Sequence, residues 1–541
     1  MTAFKLNDPL GIAPASPNRR AQAAKVANDV DLSNRTLMPF LSDQLIDASC
    51  ANATTIMVED CCVQCLEDCN EIVRVSLPCP TYYKVEDNKL YASCEPCSDD
   101  WCEICTPCDL CAPEVRYLEE RCTENNQQVR SYGYQLVDKF GNRTPLSRTS
   151  EPTVLDWDVQ AMVSGFDTDH PGCWESICIF ATQPEDADPA AAITESTNFF
   201  KVGEIDIIEG IWTHDPENDP PTEGYDKDKY QRIDKPPTGL NCLQVIGRGK
   251  QLAGLDHKGD LHFSMPNNLG AFSDDYRMRF RKPGKAFVAG EQWGYVLTGG
   301  MPQVIDLNFD CQGGLCHKSS QIERHVPIIS KRSAAQWAGG VVYASDEGLV
   351  YIRGRDVAYL TRNEYTRQQW LELQPNQMHG VVHDGFYIGA TPTETIRVRL
   401  PDNLLDPGQG HTVTTMSMRP TATYVSCEGR LYYADEDGIK EFAGGTDKVP
   451  YTWRVGPLET PNGGVSLSAL QIRMGCCDDV KVTLLQGDCD PREIYCRHVT
   501  GNQVIRLPKY VRAEQLYIEL HGVGEVDAVL IGADRNQLVG L

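Results

Sequence analysis

The residues with the plainest chemical potential are cysteines. The chain of 541 residues holds 23, and 13 of them fall between Cys50 and Cys122. The dense part reads CCVQCLEDC from Cys61 to Cys69, then CEPC with Cys94 and Cys97, then CEICTPCDLC with Cys102, Cys105, Cys108 and Cys111. Repeated C-x-x-C spacing lets two thiolates reach one tetrahedral ion. Cys94, Cys97, Cys102, Cys105, Cys108 and Cys111 are therefore candidate ligands of a structural zinc. Close cysteines also occur elsewhere: Cys173 with Cys178, Cys311 with Cys316, and Cys476, Cys477, Cys489 and Cys496. Scattered local pairs read as disulfides, which need an oxidising destination. Disulfides, zinc and free thiols all stay open. The odd total leaves at least one sulfur without an intramolecular disulfide partner. Any of these roles is structural, because a redox catalyst usually carries one C-x-x-C in a βαβ context, and no such context is visible.

Catalytic patterns are missing from the sequence. It has no P-loop, no G-x-S-x-G, no H-E-x-x-H and no EF-hand loop. The nearest approach to a site is His379 to His383-Asp384, where a His-Asp pair at a turn could ligate metal or act as a base. The simpler reading is a hairpin turn in which Asp bonds the backbone. Cys316-His317 makes no better case. Ser345-Asp346-Glu347-Gly348 resembles a sialidase turn, but its spacing is wrong and no Trp follows. Trp293, Trp337 and Trp370 are candidates for an exposed aromatic patch, with core packing the simpler use of each. The expectation is a protein that is not an enzyme, with no catalytic or cofactor-binding residue and, structural zinc apart, no cofactor.

Charge narrows the classes further. Fifty Lys and Arg against 76 Asp and Glu give −26. That argues against gripping nucleic acid by phosphate neutralisation and against attraction to anionic lipid. One basic run, Arg277-Met278-Arg279-Phe280-Arg281-Lys282, alternates along a strand. It reads as a solvated face, or as a contact for phosphates or a partner. No apolar stretch approaches about 18 residues, so no membrane span is expected. The opening MTAFKLNDPLGIAPASPNRR has no apolar run after its first Lys, so synthesis and retention in a cytosol are expected.

The elements that would position these residues read as all-β. Residues 1–45 form an N-terminal arm, with a short helix expected over Arg19–Ala27 because Ala, Gln and Lys favour helix. A cysteine-rich segment follows over 46–130 and encloses TYYKVEDNKLYAS (81–93), a hairpin with an Asp-Asn turn. Residues 131–239 are β-rich. Within them, 131–155 read as a strand, a Gly-Asn turn and an exposed Ser/Thr/Pro edge, and 213–238 form an acidic, Pro-rich loop.

From 240 to 455 a shape recurs. LDHKGDLHF, WGYVLTGGMPQVI, VVYASDEGLVYIRG, VVHDGFYIGA and RLYYADEDGIKEF each pair two β-rich runs around a turn. Their starts at Leu255, Trp293, Val341, Val381 and Arg430 lie 38, 48, 40 and 49 residues apart. Paired strands at a period of about 40 to 50 residues are the sign of propeller blades. Beyond 456 the strands shorten and crowd, and residues 456–541 are read as a C-terminal β-sandwich.

The order of these segments resembles a family of tailed-bacteriophage virion structural proteins. The resemblance rests on AQAAKVANDVDLSNRTLMPF, on SYGYQLVDKFGNRTPLS, and above all on residues 330–390, beginning SKRSAAQWAGGVVYASDEG. The closing YTWRVGPLETP before a compact β domain is also similar. The family is similar to the propeller-bearing tail hub or nozzle (tail tube) proteins of short-tailed phages. The cysteine-rich stretch departs from its pattern.

The resemblance implies a virion location in the tail, synthesis in the host cytoplasm and a ring of copies around the DNA exit channel. It also implies contacts with other tail proteins (adaptor, fibre or spike) and passage of genomic DNA during ejection without specific binding. An acidic channel wall would repel DNA and let it slide. The rival readings are a receptor- or glycan-binding tail appendage and, further off, a propeller hydrolase.

Overall fold

The structure, a computed structural model, describes residues 3–7, 10–12, 23–34, 36–59, 62–66, 72–75, 80–96, 100–105, 107, 109–117, 127–156, 160–182, 185–186, 198–214, 236–247, 251–266, 268–307, 317–401, 413–458, 466–475, 478–487, 490–509, 511–512 and 515–538. Among them the chain is nearly all β, with one α-helix, Arg367–Glu372, and a few single 3-10 turns. It divides into two compact units that are not consecutive stretches. The first joins Met1–Cys69, Gln292–Asp306 and Ser319–Leu541; the second joins Asn70–Glu291 and Leu307–Lys318.

In the first unit the recurring shape becomes a series of four-stranded antiparallel sheets. One runs Ala335–Trp337, Gly340–Ser345, Gly348–Arg353 and Asp356–Tyr359. The next begins with the meander His379–His383, Phe386–Ala390, Thr395–Arg399 and Val413–Met416. A third is Ala422–Val425, Leu431–Asp435 and Gly438–Glu441, completed by Gln44–Asp47 from the far end of the sequence.

Side chains alternate between the two faces of a strand, so each sheet serves two cores. Tyr387 joins Val342, Tyr351 and Trp370 on one side, while its neighbour Ile388 joins Met416 and Leu431 on the other. The third sheet packs in turn on Ile56 and Val58 of Thr55–Glu59. Asp384 and Gly385 both take positive φ, 48° and 76°, which a two-residue hairpin turn requires and Asp-Gly tolerates. All five recurrent segments read from the sequence contain antiparallel strand pairs.

The C-terminal part of the first unit has one core between two sheets. Ala3–Asn7, Val526–Gly532, Ala469–Met474 and Val504–Arg506 form one. Ala23–Asn28, Tyr451–Val455, Leu516–Gly522, Asp479–Gln486 and Arg492–Thr500 form the other, which continues into the Val413–Met416 meander. Leu470, Ile472, Val482, Leu484, Ile518 and Val529 lie between them. Tyr451–Val455 pairs along its whole length with Leu516–Gly522, so this strand belongs to the C-terminal sheet although it precedes residue 456.

The helix expected over 19–27 is corrected. Ala23–Asn28 is a strand, and 19–22 lie outside the described residues. Ala24 and Ala27 are fully buried and lie opposite Val455 and Trp453. A position with no room beyond a methyl group selects Ala for its size, and packing overrides its helix propensity.

Among the described residues the second unit holds two sheet pairs and a small sheet of Thr153–Asp156, Gln127–Arg130 and Glu185–Asp186. Ile72–Val75, Thr81–Glu86, Lys89–Ser93 and Cys102–Glu103 form one sheet. The turn expected at Asp87-Asn88 is present, with φ of 49° and 63°. This sheet shares a core of Tyr83, Leu90, Leu243 and Phe272 with the sheet Asn241–Ile246, Gln251–Leu255, Leu261–Met265 and Asn268–Met278.

In the other pair, Tyr132–Asp138, Trp174–Thr182 and Phe199–Asp206 face Glu114–Tyr117, Ala161–Ser164 and Ile211–His214 across Tyr134, Leu136, Val163 and Ile177. The Ser/Thr/Pro segment beside it is not an exposed edge. Thr144, Ser147 and Ser150 are buried. Their hydroxyls accept the backbone N–H groups of Leu136, Tyr134 and Tyr132 at 3.0, 3.0 and 2.9 Å. Their own N–H groups donate back to the same residues. Hydroxyls thus satisfy donors that a third strand would otherwise take. The acidic Pro-rich loop lies almost wholly outside the described residues.

Candidate functional site

Cys102 is bonded to Cys173, with Cα atoms 5.6 Å apart and a sequence separation of 71. A second disulfide joins Cys50 to Cys65, and Cys62 is also disulfide-bonded. The local pair Cys173 with Cys178 is corrected. Cys178 lies along the strand that follows Cys173, where five residues of extended chain span roughly 16 Å. A disulfide tolerates about 7 Å between Cα atoms. Cys178 instead keeps a buried thiol, whose pKa burial pushes up.

Of the other candidate ligands, Cys94 and Cys111 carry exposed thiols and Cys105 is half-buried. Cys97 and Cys108 lie outside the described residues. Among the described residues no three metal-capable side chains come together. Cys111 points at Asp167, whose hydrogen bond pushes the thiol up. His170 Nε2 lies 3.2 Å from the same carboxylate. The carboxylate stands between thiol and imidazole, so the array favours the protonated thiol over a nucleophilic thiolate.

His379 and His383 stand at the two ends of one strand, and of the candidates only His383 and Asp384 approach each other, at 3.6 Å. His383 Nε2 lies 3.1 Å from the Gly429 carbonyl, and Asp384 sits in the exposed turn. His379 is buried, and desolvation aided by the Arg332 charge pushes its pKa down to about 4. The three form a hairpin and its core contact. Ser345 Oγ donates to Gly348 O at 2.9 Å and accepts from Glu347 N at 3.3 Å, closing its own turn. Cys316 is outside the described residues, while His317 is buried against Phe263. Trp370 is 1% exposed and donates Nε1–H to Ser345 O at 2.8 Å. Trp337 and Trp293 are half-buried. The three tryptophans make no surface patch.

Features unforeseen in the sequence lie in the arm and at two surfaces. Three aspartates tie the arm to later parts of the first unit, and a fourth just beyond it caps a local turn. Asp29 accepts from Ser417 N at 2.7 Å. Asp31 meets Arg397 at 2.8 Å, Asp43 accepts from Tyr433 Oη and Ala443 N, and Asp47 caps Ser49. Gln44–Asp47 is an edge strand, and beside or within it Leu41, Leu45 and Ile46 are exposed, Leu45 by 52%.

In the second unit Ile208 and Ile211 are 88% and 53% exposed. The signal for both patches was present as apolar pairs flanked by acids, QLID and IDIIEG, but a strand pattern alone does not say which face is covered. The basic run is a surface feature. Arg277 reaches Asp274 at 3.3 Å and Arg279 reaches Asp260 at 3.5 Å, while Arg281 and Lys282 are exposed.

No family model matches the chain, and no curated protein is similar to it in sequence. Solved structures that resemble it include BamB from Moraxella catarrhalis, at 9% identity and a TM-score of 0.26, covering 75% of this chain and 99% of that one. Sqt1 from Saccharomyces cerevisiae gives 10%, 0.26, 76% and 99%. The β-propeller domain of Cps50 (Swd1) from Myceliophteria thermophila gives 10%, 0.25, 51% and 89%. At these identities and TM-scores the likenesses bear on neither activity nor partners.

Proposed function

We propose that this chain is a structural component of a bacteriophage virion, a tail hub or nozzle protein that assembles as a ring around the DNA exit channel. Its layout in this reading is an N-terminal arm, a cysteine-rich insert, a β-propeller body and a C-terminal β-sandwich. The face-to-face series of four-stranded meanders supports the propeller, since blades bury both faces only against neighbours. The sequence resemblance in residues 330–390 supports the family.

The observation that carries an assembly role is the edge strand Gln44–Asp47. It completes a sheet begun almost four hundred residues later, yet presents Leu45 and Ile46 to solvent. The strand carries two of the usual blunting devices, a register shift at Ile46 and flanking Asp43 and Asp47, yet its apolar side chains stay uncovered. An apolar edge on an ordered strand is the form a protein contact takes. The net charge of −26 supports a wall that lets DNA slide.

Cryo-electron microscopy of the particle, or of the purified chain, tests the reading. A ring of copies around a central channel with acids on its inner wall is the expected result. Single copies or trimers at the outer edge of the tail would overturn it in favour of a receptor-binding appendage.

A further inference from the structure

The strands Phe199–Asp206 and Ile211–His214 are edge strands of two different sheets in the second unit. The chain turns a corner between them. Ile207 packs against the core, and its N–H donates to Glu175 O at 3.0 Å. Asp206 Oδ1 accepts from Ile208 N at 2.9 Å, and Asp206 O accepts from Glu209 N at 3.0 Å. Gly210 takes φ +64°, with open space where a Cβ would stand. The corner is therefore held by its own backbone, and the alternation that sends Ile207 inward sends Ile208 out. Ile208 stands 88% exposed and Ile211 53%. Exposed Glu175, Asp206 and Glu209 surround them. Acids at the rim oppose docking on an anionic membrane or on nucleic acid. They fit a protein surface with an apolar centre and cations around it.

The same unit carries such a surface. Between Tyr276 and Gly290 there is no acidic residue, and Arg279, Arg281, Lys282 and Lys285 are exposed. Arg281, Lys282 and Lys285 have no ion pair among the described residues. Pro283 is exposed and Phe280 is half-buried beside them. This turn is also anchored: Gly284 N donates to Gly259 O at 3.0 Å. A Cβ on Gly259 would stand 2.6 Å from Gly284 N, so the two turns meet backbone to backbone. In a chain of net charge −26, four exposed cations in seven residues are an exception that solubility does not explain.

We propose that copies of this chain associate head to tail through the second unit, the Ile208 corner of one copy seating on the Arg279–Lys285 turn of the next. Two different, complementary patches on one chain are the requirement for a heterologous contact, which closes into a ring when the rotation permits. The proposal rests on the ring reading above and names its contact. Ile208 is the apolar anchor, with Ile211 beside it. Glu175 and Glu209 meet Arg281 and Lys282, and set the register.

Sedimentation velocity on the purified full chain tests it with wild type, Ile208→Asp, the pair Arg281→Glu/Lys282→Glu, and the pair Glu175→Lys/Glu209→Lys. Circular dichroism establishes that each is folded, and all of these side chains are exposed. Each variant should need at least about tenfold more protein than wild type to assemble, the loss expected of an interface anchor. High salt should weaken the wild type in the same direction.

Combining both charge reversals in one chain should restore assembly. A mixture of Ile208→Asp with Arg281→Glu/Lys282→Glu should stop at one-to-one pairs, because each chain keeps one working patch. Wild type that stays monomeric at every concentration overturns both this contact and the ring reading. Rings that form equally well in every variant overturn this contact and leave the ring reading standing.

Discussion

Arg397 and Asp31 are separated by 366 residues in sequence, and their side chains meet at 2.8 Å. The guanidinium lies 3.4 Å from the Phe386 ring centroid and 5.1 Å from that of Phe40. It is thus held between an aromatic of the meander and an aromatic of the arm, and its charge is answered by an acid of the arm. Planar, weakly hydrated Arg suits such a site, and Lys would not fill it. This cluster fastens the N-terminal arm to the sheet it helps to complete.

Arg397→Ala should destabilise the first unit by about 3 kcal/mol at neutral pH, because it strands a largely buried carboxylate. Burial opposes ionisation of Asp31, but Arg397 and the Ser33 hydrogen bonds outweigh it and hold the carboxyl below its ordinary range. A depressed pKa contributes stability that is full above the unfolded value, about 3.9, and is lost as pH falls through the folded one. Urea unfolding at neutral and acid pH should show the variant's deficit shrink as the solution is acidified. A deficit independent of pH would mean that packing on Phe40 and Phe386 is the whole effect.

Asp138 should give the opposite sign. Its carboxyl is buried, and desolvation raises its pKa to about 6 despite hydrogen bonds from Asn142 and Phe140. A raised pKa contributes stability that is present below the unfolded value and is lost as pH rises through about 6. The second unit should therefore lose on the order of 2 kcal/mol from this group between pH values near 4 and 7. Asp138→Asn should flatten that step. Denaturant melts across this range, comparing the two proteins, provide the check.

The Cys102–Cys173 bond closes a long loop, 71 residues, and the chain-entropy estimate for its removal is about 4 kcal/mol. Cys102→Ser/Cys173→Ser should lower the denaturant midpoint of the second unit accordingly. Non-reducing peptide mapping should recover the 102–173 link. A 173–178 link would contradict this arrangement.

Ser147→Ala should cost about 1 kcal/mol or slightly more, because it leaves the buried Tyr134 N–H without its hydroxyl acceptor. Ser150→Ala should do the same for Tyr132. Exposed Arg148 is the control, and Arg148→Ala should change the midpoint little, since its contact with Asp109 is a surface pair.

Much of the local structure was legible because it is written in short range. Asp-Asn at 87–88 and Asp-Gly at 384–385 tolerate positive φ, and β-rich runs flank them, so each hairpin follows from neighbours a few residues apart. The candidate sites were less legible. Two thiols at C-x-x-C spacing are compatible with zinc, local disulfides or distant ones, and spacing cannot choose among them. Cys102 found Cys173 because the fold brings the Cys102–Glu103 strand beside the start of the Trp174–Thr182 strand.

By itself the sequence determined the strand class, the recurrent hairpins and the acidic balance, because alternation, turn chemistry and charge are local or additive properties. Only the tertiary structure decided which faces those strands cover. It made the Ala-rich arm a strand by leaving no room beside Val455 and Trp453. It turned Thr144, Ser147 and Ser150 into buried acceptors, and it brought Asp31 to Arg397. It also left Ile208 in water while burying Ile205 nearby. Each of these outcomes depends on partners distant in sequence, and no local rule carries their positions.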